Sequence, residues 1–377
     1  MPKIIVRNQD GRGVKWTILR VDLDNRSCYL CSGRKQQFFL SPRNKKNMKH
    51  LTIIVPDGQS NLGTVASIVG SYEIFTRANA WWKENYGKEL FRIQLAAVTR
   101  KPEVYEGHFS VRPEAAISEI SKTNLVIIPS LDRNYNKAMN GNKKLVEWVS
   151  LQYKLGAEIA SMCTGAFMLA AGGLLDGKSC STHWSAANTF RTLFPKVHLQ
   201  EQKLITDENG IYTNGGAYSF LNLVIYLIEK YYSRAAAVYC SKIFQVEIDR
   251  ESQSAFSIFT GQKSHDDDLV RKAQDYIEGH LDEKISFEAL SSQFAVGRRN
   301  FDRRFIRATG NTPLEYSQRV RIESAKKQLE TSRKTVNEVM YDVGYSDIKA
   351  FREVFRKITG LSPLEYRNKF NKEASLR

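Results

Sequence analysis

The residues of this chain best placed for chemistry are a cysteine and a histidine 20 positions apart. Ser161-Met-Cys163-Thr-Gly165 follows a short apolar run and precedes a helical pattern. Small residues two before and two after a nucleophile permit the sharp, strained strand-to-helix turn of a nucleophile elbow. A thiol at such a turn stands at the start of a helix, where exposed backbone N–H groups and the helix dipole favour the thiolate. Gly177-Lys-Ser-Cys-Ser-Thr-His183-Trp184 then supplies a histidine that could add a second donor. Two readings follow. The pair hydrolyses or isomerises a small substrate, or the same pocket serves as a ligand or redox sensor or a dimerisation module, since an elbow also keeps its shape for packing reasons. His108, His198, His265 and His280 show no ligand spacing. Cys28 and Cys31 make one C-x-x-C pair without the second pair that a zinc site requires, so no metal and no cofactor is expected.

A second kind of chemistry, recognition of an anion, is written into a repeat. Residues 301–316 and 351–366 superpose at an offset of 50, with both phenylalanines, the Thr-Gly pair and Pro-Leu-Glu-Tyr kept in each copy. The Phe pairs Phe301/Phe305 and Phe351/Phe355 make one apolar helix stripe each. Gly310 and Gly360 suit a left-handed helix stop. Thr312-Pro-Leu-Glu315 and Ser362-Pro-Leu-Glu365 each start a capped helix. A short helix and a tight turn precede each copy: residues 286–294 with Ala295-Val-Gly297, and the helix from Thr335 with Gly344-Tyr-Ser346. Helix, turn, second helix is the helix-turn-helix pattern, here present twice and joined by a long helix over residues 313–330. Opposite the apolar stripes lie Arg299, Asn300, Arg303 and Arg307 in one copy and Lys349, Arg352 and Arg356 in the other. Arginine suits guanine edges and phosphates. With Arg298 and Ser346 at the helix starts, these residues are the candidate contacts to double-stranded DNA.

The elements that must position these groups fall into two domains. The 377 residues are 42% hydrophobic and 25% charged, which is a globular composition with material for real cores. Net charge is +16, yet half of it, +8, sits in residues 1–47, and residues 266–377 carry only +4. Bulk basicity is therefore weak evidence for nucleic acid, and local patterning carries the argument. Residues 1–47 show no sustained period and read as a basic extension or a misassigned start before Met48, or else as a basic arm, with a cluster at residues 43–46, that touches phosphates. From residue 51, strands at 51–55, 91–98, 125–128 and 157–161 alternate with helices at 142–155, 164–171 and 218–232, the pattern of a sheet covered on both faces. Ser264-His-Asp-Asp-Asp268 is the polar break, so the domains are expected at 48–262 and 263–377. Five cysteines, an odd number, in a chain with no signal-peptide pattern read as reduced cytoplasmic thiols. No stretch reads as membrane-spanning: the uncharged run over residues 159–175 is interrupted by Ser, Thr and Gly.

Residues 266–377 resemble the AraC/XylS-type DNA-binding domain, above all in Gly344-Tyr-Ser346, Phe351, Phe355-Arg-Lys357, Gly360-Leu-Ser-Pro363 and Tyr366-Arg367. The resemblance implies two units reading successive major-groove segments on one face of DNA. It departs at Gly297, where a Ser cap is usual. Residues 48–262 resemble the DJ-1/PfpI, class I glutamine amidotransferase-like domain in the form fused ahead of AraC-type domains, through Thr164-Gly-Ala-Phe-Met-Leu-Ala171, Leu174-Leu-Asp-Gly177 and Thr182-His-Trp184. That resemblance places Cys163 on the family's elbow cysteine, His183 on its histidine and Glu73, in the first helix, on its acid. Asn222 stands where the fused group often has Asp. The fold implied is an α/β flavodoxin-like sandwich followed by an all-α domain with two helix-turn-helix units. The function implied is a homodimeric transcriptional regulator with a possible small-molecule effector and no catalytic residues, the alternative being a cysteine hydrolase or glyoxalase with an accessory DNA-binding domain.

Overall fold

The computed structural model describes residues 48–59 and 61–371 with their side chains, and of the first 47 residues the backbone of four strands. Those strands, β1 (Lys3–Asp10), β2 (Gly13–Asp22), β3 (Ser27–Leu30) and β4 (Lys35–Gln36), pair antiparallel in sequence order and form a unit of their own. The reading of this segment as patternless is corrected. Asp10-Gly11 between two runs rich in Ile, Val and Trp is a hairpin signal, which the density of charges obscured. Of the C-x-x-C pair only the backbone of Cys28 is described; Cys31 and the basic cluster at residues 43–46 lie outside the described residues.

The α/β part runs β5 (Lys49–Ile54), α1 (Leu62–Tyr86), β6 (Phe91–Ala97), a hairpin of β7 (Glu103–Tyr105) and β8 (Phe109–Val111), β9 (Ala115–Ala116) and β10 (Leu125–Ile128). It continues with α2 (Tyr135–Gly141), α3 (Lys143–Lys154), β11 (Glu158–Ser161), α4 (Ala166–Ala171), β12 (Ser179–Cys180), α5 (Ala187–Leu193), β13 (His198–Leu199), β14 (Ile205–Glu208), β15 (Ile211–Asn214), α6 (Phe220–Tyr231) and α7 (Arg234–Phe244). Seven strands form one sheet, ordered β14-β15-β11-β10-β5-β6-β9, parallel apart from the edge strand β14. The central strands are buried on both faces, which explains their unbroken apolar runs. Alternate residues still serve opposite sides. Leu51, Ile53, Leu125 and Ile127 pack with α1, α6 and α7, whereas Ile54, Val126 and Ile128 pack with α2 to α5. From β5 the chain steps to β6 on one side and then returns to β10 on the other. Doubly wound sheets open a crevice beyond the carboxyl ends of the strands at such a reversal.

The helical part comprises α8 (Asp268–Gly279), α9 (Phe287–Gln293), α10 (Arg298–Thr309), α11 (Pro313–Thr331), α12 (Val336–Asp342), α13 (Ile348–Thr359) and α14 (Pro363–Phe370). It has two cores, one around Phe301, Phe305 and Tyr316, the other around Phe351, Phe355 and Tyr366. The repeat extends into hydrogen bonding. Tyr316 donates its hydroxyl proton to Glu278 of α8 at 2.6 Å, and Tyr366 donates to Glu330 of α11 at 2.5 Å, so α11 does for the second unit what α8 does for the first. Capping boxes at Thr312/Glu315 and Ser362/Glu365 start the helix after each unit, as the spacing predicts. The two units are locked together: Gly344 lies against the Leu281–Asp282 backbone, and the Arg321 guanidinium donates to the carbonyls of Gly344 and Glu283.

The polar stretch 264–268 is an ordered start rather than a slack tether. Asp267 caps α8 at the Val270 N–H and accepts from Arg304 of α10 with both carboxylate oxygens, at 2.8 and 2.6 Å. Upstream of it, residues 257–262 run along the helical part. Phe259 packs on Tyr316 and its N–H donates to Glu323, while Lys326 donates to the Ser257 carbonyl and pairs with Glu323 at 2.7 Å in a nearly buried ion pair.

Candidate functional site: an elbow pocket and a basic helix face

Cys163 follows β11 in a left-handed backbone conformation, φ +55°, the strain expected of an elbow. Gly165 is required there: a Cβ would sit 2.5 Å from the Pro129 carbonyl oxygen and 3.0 Å from that of Ile128. Thr164 fastens the turn to the loop after β10, its hydroxyl donating to the Leu131 carbonyl and accepting the Leu131 N–H, both at 2.8 Å. The His183 segment is tied in from the other side, where Thr182 donates its hydroxyl to the Cys163 carbonyl at 2.9 Å. Gln253, buried, donates to the carbonyls of Thr182 and Glu201 and accepts the Gly216 N–H, clamping the Gly215-Gly216 turn beneath the histidine.

Cys163 and His183 line one pocket of about 170 Å³, together with Ser67, Ser130, Leu131, Arg133, Tyr135, Met162, Tyr218 and Phe220 among others. They share that space without forming a catalytic pair. The Cys163 thiol faces the N–H groups of Ala217 and Thr164 and the Thr164 hydroxyl. His183 Nδ1 accepts the Ser185 N–H at 3.1 Å and contacts the Ser185 hydroxyl at 2.8 Å. Among the described residues no hydrogen bond joins the two. Burial pushes the Cys163 thiol pKa up, and the neighbouring N–H groups of Ala217 and Thr164 offset this only in part. The expectation of a helix-stabilised thiolate is thus corrected: the turn leads through a 3-10 segment into only six residues of α-helix, and burial outweighs the field of so short a helix. Burial, reinforced by Arg133, lowers the His183 pKa, which favours the neutral ring. An Nδ1 that accepts a backbone proton leaves Nε2 as the protonated nitrogen of that ring.

Glu73 is not part of this pocket, and its assignment is corrected. It lies on the exposed side of α1, in a hollow with Val69, Tyr72, Thr76 and Arg112, while the face of α1 toward the elbow presents Gly63, Ala66 and Ser67. No Asp or Glu lines the pocket, so it holds no carboxylate base. Sequence reasoning missed Ser130 and Arg133, although the crevice rule points to the loop after β10. Gln253, 90 residues from the elbow, carries no local signal. Asn222 donates to the Glu247 carbonyl, away from the thiol. Cys180 and Cys240 are buried in the core, and burial raises their pKa values to about 12 and about 11. Among the described residues no group of three or more His, Cys, Asp or Glu could hold a metal ion, and no described helix is long and apolar enough to cross a membrane.

On α10 and α13 the stripes fall as their period predicts. Phe301, Phe305, Phe351 and Phe355 are fully buried, whereas Arg299, Asn300, Arg303, Arg307, Ser346, Lys349, Arg352 and Arg356 are exposed. Arg303 donates to Asn300 at 3.0 Å, so those two present a joined polar surface. Arg298 differs from the rest. It is half-buried, pairs with Asp302 at 2.8 Å and stacks over Phe287, so its first task is to hold α10 on α9. The first turn carries Ala295 at φ +53°, where the second has Gly344 at φ +77°.

Comparison with known proteins gives two matches along the chain. Residues 67–230 match the DJ-1/PfpI family and residues 290–369 a helix-turn-helix domain. The HTH-type transcriptional regulator GbdR of Pseudomonas aeruginosa is 22% identical over 305 residues, covering 81% of each chain. The HTH-type transcriptional regulator CdhR of the same organism is 22% identical over 281 residues, 74% of this chain and 82% of that one. A solved AraC family transcriptional regulator from Pseudomonas putida, 14% identical with a TM-score of 0.44, covers 52% of this chain and 99% of its own.

Proposed function

We infer that this chain, which carries a DJ-1/PfpI domain ahead of an AraC-type helix-turn-helix domain, is a sequence-specific DNA-binding transcriptional regulator. The observation that carries the reading is the pair of exposed basic faces on α10 and α13, each backed by a buried Phe pair and held in a fixed relation by the Gly344 and Arg321 contacts. A helix presented in this way enters the major groove, its arginines reaching base edges and phosphates. Two such helices on one monomer suit adjacent major-groove segments about one turn apart. The residues assigned to DNA are Arg299, Asn300, Arg303, Arg307, Ser346, Lys349, Arg352 and Arg356, with Arg298 as a support.

The α/β domain is assigned an effector-binding and dimerising role rather than turnover, in a cytoplasmic protein with domains at 48–262 and 263–377. The absence of a pocket carboxylate, the occupied His183 Nδ1 and the raised thiol pKa support this over a hydrolase or glyoxalase. The exposed apolar residues Val69 and Tyr72 on α1 offer a surface for the second copy of the chain. The test is selection of binding sites from random duplexes with the full chain, followed by footprinting. A selected motif of two segments about one helical turn apart per monomer is the expected result; binding without sequence preference would sink the reading.

A further inference from the structure

We propose that the elbow pocket binds a small organic monocarboxylate, its carboxylate held by Arg133 and its apolar body lying against Leu131, Met162 and Phe220. The proposal rests on the reading of this pocket as the effector site and names the ligand class that site takes. The charge of the lining gives the sign. Arg133 is the one full cation among the lining residues, it makes no ion pair among the described residues, and no lining residue is acidic. Asp132 beside it is turned to the Asn61 N–H at 2.8 Å.

The second observation is an unsatisfied hydroxyl. Ser130 is 7% exposed and lines the pocket, and its Oγ has no hydrogen-bond partner. The backbone around that Oγ is already engaged, for the Ser130 N–H donates to Ser67 Oγ and its carbonyl accepts from Thr64 Oγ1 at 2.8 Å. A buried polar group left unpaired costs about 1–3 kcal/mol, which a ligand oxygen at this place would recover. His183 Nε2–H supplies a further donor in the same space, whereas the Ser67 and Ser185 hydroxyl protons are already given to the Thr64 carbonyl and to His183 Nδ1. The lining therefore combines one positive charge and hydrogen-bond donors with the thioether of Met162 and the hydrocarbon of Leu131 and Phe220.

Size and charge narrow the class. A cavity of about 170 Å³ compares with the roughly 150 Å³ that accommodates benzene, so the ligand is of that order. With His183 neutral, one guanidinium balances one carboxylate, whereas a phosphate dianion would be left half compensated. Arg133 and Ser185 also border a second hollow, shared with Trp184 and Asn188 on one side and with Arg319, Glu323 and Lys326 of α11 on the other. A carboxylate drawn onto Arg133 thus changes the charge presented to the helical domain, which gives occupancy a route to DNA affinity.

The test uses the full chain and four probes: butyrate, benzoate, butyramide and inorganic phosphate, followed by titration calorimetry and by thermal shift. The expected result is that a carboxylate binds more tightly than the amide or phosphate by on the order of tenfold, the scale of one charge-assisted hydrogen bond. Arg133→Ala should abolish that preference while leaving the melting temperature of the ligand-free protein unchanged, and Ser130→Ala should weaken carboxylate binding without loss of stability. Equal affinity for amide and carboxylate, a preference that survives Arg133→Ala, or no binding of either carboxylate would overturn the proposal. The effector reading itself is tested separately with Ala66→Phe, which fills the pocket from α1. A folded Ala66→Phe protein that regulates as the wild type does would remove the effector role, whatever the ligand class.

Discussion

Three glycines of the helical domain share one backbone conformation and differ in what surrounds them, which makes a controlled experiment. Gly310, Gly344 and Gly360 have φ of +71°, +77° and +78°. A Cβ on Gly310 meets nothing within 4 Å, and one on Gly360 meets only the Ser252 hydroxyl at 3.9 Å. A Cβ on Gly344 falls under 3.0 Å from the Leu281 carbonyl oxygen and 3.1 Å from two Asp282 backbone atoms. Alanine at Gly310 or Gly360 should therefore cost only the left-handed backbone penalty, about 1–2 kcal/mol. Alanine at Gly344 adds an overlap with backbone that cannot rotate aside, about 1–3 kcal/mol more by analogy with overpacked cores. The five tryptophans all precede residue 185, so the helical domain is best followed by far-ultraviolet circular dichroism in urea. Gly344 also sets the second unit against the loop after α8. Gly344→Ala should accordingly reduce affinity for a two-segment DNA site by more than Gly310→Ala does, with binding to an isolated segment less affected. If Gly344→Ala destabilises no more than Gly310→Ala, the close approach does not hold the two units together and the fixed half-site spacing loses its basis.

The other expectations are narrower. Arg303→Ala and Arg352→Ala should each weaken specific DNA binding by about 1–3 kcal/mol if the side chain reads a base, with folding intact by circular dichroism; wild-type affinity in both would take them out of the interface. Brief alkylation read by mass spectrometry should modify Cys163 before Cys180 or Cys240, because of these three it alone lines a cavity, and slowly at neutral pH because burial raises its pKa. The rate should climb as pH rises, and first labelling at Cys180 or Cys240 would mean that the pocket is closed. Asp267 has a folded pKa below its unfolded value, held down by Arg304, so its contribution is present above about pH 3.9 and is lost as pH falls through the lowered value. Asp267→Asn should cost about 0.5–1 kcal/mol at pH 7, because asparagine keeps the cap and only the ion pair with Arg304 goes, and the deficit should vanish in acid; a deficit that persists at low pH would show that the charge is not what matters.

What could be read from the sequence, and what could not, divides by the range of the interactions. The buried strands, the elbow and the helix-turn-helix repeat are local patterns, each written within some 15 residues. Apolar runs gave β5, β10 and β11, the small-Cys-small spacing gave the turn at Cys163, and the 50-residue offset gave the buried Phe pairs and the capping boxes. The contents of the pocket are another matter, because its walls come from loops after β5, β10 and β11, the turn after β15 and the segment around His183. Glu73 shows why analogy fails at this range: a shift along α1 by a few residues moves a side chain to the opposite face, and the face toward Cys163 carries Gly63, Ala66 and Ser67. The consequence is chemical. Without that carboxylate, and with Arg133 brought in from the neighbouring loop, the surroundings of the elbow change from a base-assisted thiol to a cationic, donor-lined hollow. A pocket of that sign suits the anion proposed for it better than it suits the activation of a nucleophile, which is the difference between the effector reading and the enzyme reading of this domain.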